Sequence, residues 1–240
     1  MKPFIFLMLI VYCSGVFAQR NVGAPTRSIG SFSATSLTGG NDPFTYGQGI
    51  DLNNAKYSDV SGSPCLKQDF TAAFVAFKNG KQYTNVPVKF DMLHNEIDIE
   101  KNGTLLSLMD IDSISYPDSN YQNMILKSGY PSISEHDASS IYQIVAQNNK
   151  IQLLKYYHCH ISTIKSLGFP DKTSFDVDNQ YYLFNKATKA IEQVKLNKKS
   201  FSSAIADMGY SKAEMDKNKN IDFKNEKDVA DLISAGDKPR

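Results

Sequence analysis

Nowhere in the chain is there a tryptophan, and cysteine occurs only three times. One of the three, Cys13, lies inside an apolar N-terminal stretch, so the remainder cannot build a disulfide-dense scaffold. A charge bias is missing too. Of 26 basic side chains only Lys2 falls within residues 1–18, so 25 basic residues face 25 acidic ones beyond it. A chain neutral overall has no global field to draw in nucleic acid or an anionic surface. Beyond residue 18 no apolar run approaches the ~20 residues that cross a bilayer as a helix, and no membrane span is expected there. There is no glycine-rich phosphate loop and no Gly-x-Ser-x-Gly elbow. These absences exclude a P-loop enzyme and an elbow-type serine hydrolase, and no cofactor is expected.

What is present begins at the first residue. Met1-Lys2 gives a short positive start, Phe4 to Val11 is almost unbroken apolar sequence, and Val16-Phe17-Ala18 puts small residues at −3 and −1 before Gln19. That pattern predicts a secretory signal peptide over residues 1–18, cleaved after Ala18. The mature protein is then expected outside the cytoplasm, secreted or in the periplasm or cell envelope. Tyr12 is bulky where a lipobox before Cys13 needs a small residue, so lipid attachment is not expected. An oxidising compartment permits a disulfide between Cys65 and Cys159. It would close a loop of about 95 residues and stabilise by roughly 4–5 kcal/mol. Two separate buried thiols are the alternative.

Residues 19–61 are rich in Gly, Ser, Thr and Asn, and their apolar residues show no period. They read as a poorly ordered leader, with a strand starting near Tyr57–Val60. A β domain is expected over 62–197. Phe70, Phe74, Val75 and Phe77 precede Asn79-Gly80, and Val86, Val88 and Phe90 recur at period two after it. Glu96 to Glu100 alternates strictly, Asn102-Gly103 turns the chain, and Leu105, Leu106, Leu108 and Met109 return. Asn-Gly between such runs signals a hairpin closed by a type I′ turn. Short strands are expected around Ile114–Tyr116 and 123–126, a loop over 132–138, and a hairpin from Ile141–Ala146 and Ile151–Ile161. Residues 165–179, with Gly168, Pro170 and several Asp, read as a connector. Tyr181–Phe184 and Ala190–Leu196 make a last hairpin.

The period changes in residues 198–240. Phe201, Ala204, Ile205 and Met208 fall at i, i+3, i+4, i+7, with Gly209 behind them. Ser211 with Glu214 has capping-box spacing for a short second helix. Asn225 can cap a third, with Val229, Leu232 and Ile233 on one face and Gly236 after it. The fold class is therefore α+β but mainly β: an antiparallel meander, half-barrel or sandwich of hairpins, with a short C-terminal helical appendage packed on it.

Gly62-Ser63-Pro64, Asp69-Phe70, the run from Asn79 to Asp91, Asn95-Glu96-Ile97, Tyr181-Tyr182-Leu183 and the Lys/Asn-rich helical end resemble a family of exported β-rich proteins of Bacteroidetes-type bacteria. The resemblance covers residues 57–240. It implies export and a β-rich fold, with no activity and no catalytic motif to carry over. Cys65 departs from the aromatic or aliphatic residue expected at its position, which argues against a disulfide shared across that family.

Few constellations carry chemistry. His158-Cys159-His160 is the sharpest, because on a strand the two imidazoles share a face while the thiol takes the other. Such a pair suits zinc or copper if a third ligand arrives, from His94, His136 or a carboxylate. An exposed polar strand face over a core face of Tyr157, Cys159 and Ile161 is the plainer reading. Asp216, Asn218, Asn220 and Asp222 imitate a calcium loop, but Ile221 replaces the required glycine and Lys227 the bidentate glutamate. A polar connector is expected there instead. Asp98 with Glu100, and Asp110 with Asp112, read as the wet side of a half-solvated sheet. Asn102-Gly103-Thr104 fits a glycosylation sequon but is better explained as a turn. The function expected is an exported structural or interaction module of the cell envelope, not an enzyme, with an unidentified protein or envelope partner. A carrier of a small apolar ligand in a curved sheet is the first alternative. A metal-dependent enzyme using His158 and His160 is the second.

Overall fold

The computed structural model describes residues 29–31, 44, 46–48, 57, 59–116, 124–165, 167–168, 170–208 and 221–235. The expected signal segment, Gly209, the expected Ser211/Glu214 helix, most of the calcium-like stretch and Gly236 lie outside them. The described chain is mostly strand. In chain order the strands are β1 (Ile29–Ser31), β2 (Tyr46–Gln48), β3 (Val60–Ser61), β4 (Thr71–Phe77), β5 (Gln82–Asp91), β6 (Glu96–Lys101), β7 (Thr104–Leu108), β8 (Ile111–Tyr116), β9 (Met124–Lys127), β10 (Tyr142–Gln147), β11 (Ile151–Ile164), β12 (Lys172–Asn185) and β13 (Ile191–Val194). Two helices follow, α1 (Lys198–Asp207) and α2 (Glu226–Ala235).

All 13 strands join one open sheet in the order β13-β12-β11-β10-β9-β8-β4-β5-β6-β7-β2, with β1 on β5 and β3 on β12. Pairing is antiparallel except for β1 and β3, which pair in parallel. Strand neighbours lie ~4.8 Å apart, so flat geometry would hold β5 and β11, five places apart, over 20 Å from each other. Instead the Phe90 ring of β5 sits 6.1 Å from the Tyr157 ring of β11. The sheet therefore curls over its own core. Val75, Val86, Val88, Phe90, Ile97, Ile99 and Ile114 fill that core, and Tyr157 and Cys159 close it from β11.

Local chemistry explains the turns. Asn102 and Gly103 both take positive φ, at 52° and 73°, as a type I′ turn requires. The first Asn-Gly turn differs from expectation. Gly80 has φ 85°, but Asn79 is not left-handed. The amide of Gly80 donates to the Phe77 carbonyl and that of Phe77 to Lys81. This is the longer loop with a left-handed glycine at its end. A bulge at Asn85, φ 60°, shifts the β4–β5 register between Ala73 and Val75.

Two expectations are corrected. Within the expected leader, residues 29–31 and 46–48 are strands, and Phe44 and Tyr57 are buried. Residues 172–179, expected as connector, are the first half of β12, in unbroken register with β11 from Ile164↔Lys172 onward. The reason is polarity. Strand pairing with β11 holds this segment: Phe175 packs on the core, but the alternating Asp and exposed Val177 around it make no apolar period.

The helices bury Phe201, Ala204, Ile205, Val229, Leu232 and Ile233 against Ile151, Leu153, Leu183 and Val194 of the sheet. Asn197 caps α1 by accepting from the Ser200 amide at 2.9 Å. Asn225 accepts from the Lys227 amide at 2.9 Å at the start of α2. Glu226 receives Lys155 Nζ at 2.7 Å and the Tyr181 hydroxyl at 2.6 Å, which ties α2 to β11 and β12.

Candidate functional site

The two 14-residue strands β11 and β12 outrun their neighbours. Among the described residues β10 pairs with β11 only through Lys155, and β13 with β12 only through Tyr181–Phe184. Residues 156–164 and 172–180 thus continue as a two-stranded ribbon roughly 30 Å long at ~3.3 Å per residue. Its base packs on the core through Tyr157, Cys159 and Phe175. β3 braces it, with the Thr173 hydroxyl donating to the Asp59 carbonyl and the Ser61 hydroxyl to the Thr173 carbonyl, both 2.8 Å.

His158 and His160 share the outer face of this ribbon, and Cys159 is buried on the other, as the two-residue period requires. Their rings lie 5.5 Å apart, tilted by 26°. The register supplies a third group, since Asp178 stands opposite His158 and Asp176 opposite His160. One donor atom from each of His158, His160 and Asp178 lies within 4.8 Å of the others. Asp178 Oδ2 is 3.8 Å from His160 Nδ1. Asp178 was hidden from sequence reading because its segment reads as connector. His136 instead packs on the Tyr156 ring at 4.1 Å, and His94 belongs to a second cluster. The ribbon trio is open to water: His158 and Asp178 are exposed and His160 half-buried.

The far end of the ribbon is apolar. Among the described residues five large hydrophobic side chains are exposed; Ile164 and Leu167 are here, and Ile161 and Val177 lie along the ribbon nearer the core. Ile164 is 63% exposed and Leu167 wholly so. Lys165 and Lys172 flank them, both exposed.

The second cluster is built by the turn between β5 and β6. Asp91, fully buried, accepts from the amides of Leu93 and His94 at 2.7 and 3.2 Å through Oδ1. Its Oδ2 holds His94 Nδ1 at 2.7 Å. Asn95, φ 54°, pins the turn to Ile141, accepting from its amide at 2.7 Å and donating to its carbonyl at 3.1 Å. Glu96 pairs in register with Asp91, and Asp98 with Lys89. Donor atoms of Asp91, His94 and Glu96 lie within 4.8 Å of one another. Asp98 corrects the wet-side reading. It is fully buried, and neither of its oxygens has a hydrogen-bond partner among the described residues, while Glu100 on the same face is exposed. Burial, with the carboxylates of Glu96 and Asp91, pushes its pKa up to about 8, against the pull of Lys89. A cleft of about 350 Å³ opens beside the cluster, lined in part by Lys78, His94, Asn95, Glu96 and Asp110. Such a lining suits a polar or charged ligand better than an apolar one. The signal for this site was present as Asp-x-x-His-x-Glu-x-Asp over residues 91–98, but alternation with Ile97 and Ile99 reads as an ordinary amphipathic strand.

No family model, curated protein or solved structure matches the chain. The assignment of function rests on the residues themselves.

Asp110 sits in a turn, φ 58°, and Asp112 pairs with Lys127 at 2.7 Å, so they form no facing carboxylate pair. Of the calcium-like stretch, Asp222 accepts from the Lys224 amide, and Lys227 pairs with Asp231 at 2.7 Å. The other three positions lie outside the described residues. Cys65 and Cys159 are each buried and free, so the disulfide is not formed. Burial above all pushes both thiols up to about 11, and neither is an activated nucleophile.

Proposed function

We propose that this protein is an exported interaction module of the cell envelope that docks on a lipid surface through the tip of the β11–β12 ribbon. The charged start, apolar run and Val16-Phe17-Ala18 ending support export, as does the resemblance to exported Bacteroidetes-type proteins. The single observation that carries the contact role is the exposure of Ile164 and Leu167 at the turn end of one hairpin, with Ile161 and Val177 also exposed along it. Burying such a side chain is worth roughly 1.5–3 kcal/mol. A fold that buries 39 apolar side chains among the described residues, yet leaves these in water, keeps them for a partner.

The chemistry of the tip favours lipid over protein. Protein hot spots are rich in Trp, Tyr and Arg, and interface cores are depleted in lysine. The described tip is aliphatic, and its flanking lysines can lie along the acyl boundary with their charges among the headgroups. Two or three aliphatic side chains give weak, reversible attachment, on the scale of a single acyl chain. The protein acts by contact and not by catalysis.

Co-sedimentation with phosphatidylethanolamine/phosphatidylglycerol vesicles tests this. The purified protein is expected in the pellet, and Ile164→Asp/Leu167→Asp in the supernatant with an unchanged melting temperature. Parent protein left in the supernatant, or a double variant that pellets equally, overturns the lipid reading. The first result would turn the tip toward a protein partner.

A further inference from the structure

The outer face of the β11–β12 ribbon is a short ladder of polar pairs. His158 stands opposite Asp178, His160 opposite Asp176 and Ser162 opposite Ser174. Residues two apart on a strand share a face, so these side chains lie together. The two carboxylates differ in what they hold. Asp176 takes the Ser162 hydroxyl on Oδ2 and the Ser174 hydroxyl on Oδ1. Asp178 engages no hydroxyl or amide among the described residues. Its Oδ2 faces His160 Nδ1 across 3.8 Å, too far for a hydrogen bond. That nitrogen is nonetheless shielded from water and has no hydrogen-bond partner among the described residues. A shielded donor without a partner costs free energy unless something fills its place.

One cation between the two groups answers this. Zinc bonds of about 2.0–2.2 Å in a tetrahedron put neighbouring ligand atoms roughly 3.4 Å apart, close to the gap present. His158 completes the set. One donor atom from each of His158, His160 and Asp178 lies within 4.8 Å of the others, and the two imidazoles stand side by side, tilted by only 26°. His158 and Asp178 are exposed, so side-chain rotation closes the remaining distance and the ion enters directly from solvent. The cluster at the β5–β6 turn is less free. There Asp91 spends both oxygens on the Leu93 and His94 amides and on His94 Nδ1. Two imidazoles with one carboxylate suit zinc or copper, whereas calcium and magnesium take oxygen ligands.

We propose that His158, His160 and Asp178 bind one divalent zinc or copper ion across the ribbon, fastening β11 to β12 on its outer face. The site does not depend on the lipid contact at residues 164 and 167. Calorimetric titration of zinc chloride into chelator-stripped protein tests it. One equivalent is expected, absent from His158→Ala/His160→Ala. Loss of an outer partner alone costs a metal site about 10–100-fold, so loss of the carboxylate ligand in Asp178→Asn should weaken binding at least about tenfold. The equivalent should persist in Asp176→Asn, in His94→Gln and in Ile164→Asp/Leu167→Asp. Hydrogen exchange gives a second readout: zinc should slow amide exchange in residues 156–164 and 172–180 of the parent and not of the double histidine variant. Absence of zinc uptake by the parent overturns the proposal. So does unchanged affinity in the folded double histidine variant or in Asp178→Asn. Loss of the equivalent in folded His94→Gln, with the ribbon variants unaffected, would place the ion at the β5–β6 turn and overturns it as well.

Discussion

Asp98 shows how far a single side chain can depart from its neighbours. Its strand reads Glu-Ile-Asp-Ile-Glu, and alternation alone assigns all three acids to water. Two of them do reach solvent in part or whole, and Asp98 is sealed. Its pKa rises from 3.8 to about 8, so between those values the folded state holds a proton that the unfolded state has released. Stability should therefore fall as pH climbs from about 4 to 8, by up to about 1.4 kcal/mol per unit of pH. Asp98→Asn should remove this slope. In urea unfolding with a chelator present, the variant should match the parent near pH 4 and exceed it by a few kcal/mol at pH 8. A gap that does not change with pH would contradict the assignment. Gly80 gives a simpler expectation at the same scale. Its φ of 85° leaves open space around a Cβ, so Gly80→Val strains only the backbone. A loss on the order of 1–2 kcal/mol in denaturant midpoint analysis is expected.

At the scale of elements, what was legible followed the apolar period. The alternation of Val86, Val88 and Phe90 announces β5, and the spacing of Phe201, Ala204, Ile205 and Met208 announces α1. Where a strand offers a single apolar side chain to the core, the pattern is silent. Residues 172–179 form half of β12 because β11 pairs with them, and Phe175 packs on the core without an apolar period around it. The third group beside His158 and His160 was invisible for that reason, since Asp178 stands on this segment. The orphaned oxygens of Asp98 were invisible for another reason, because burial across a curled sheet depends on strands far apart in sequence. The helical appendage is legible and testable. Leu232 is packed with Val229 and Ile233 in the cluster around Ile151 and Leu153. Leu232→Ala should cost about 2–5 kcal/mol and lower the melting temperature measured by calorimetry. Truncation after Asn197 should lower it further, by exposing Leu153, Leu183 and Val194. An unchanged melting temperature would mean that the helices contribute nothing to the sheet.

At the scale of the whole molecule, the curled sheet and its helices enclose the core, and the ribbon packed on it by Tyr157, Cys159 and Phe175 exposes Ile164 and Leu167 at its end. We propose that this end, and no other part of the described surface, enters a lipid interface. The free thiols at Cys65 and Cys159 are buried, with pKa values of about 11, so an engineered surface cysteine can be labelled selectively under native conditions. The most direct measurement is the emission of a polarity-sensitive fluorophore on Leu167→Cys, with Glu192→Cys on β13 as the reference position, titrated with phosphatidylethanolamine/phosphatidylglycerol vesicles. A blue shift confined to the label at 167 is the predicted result. No shift at 167, or equal shifts at both positions, would contradict it.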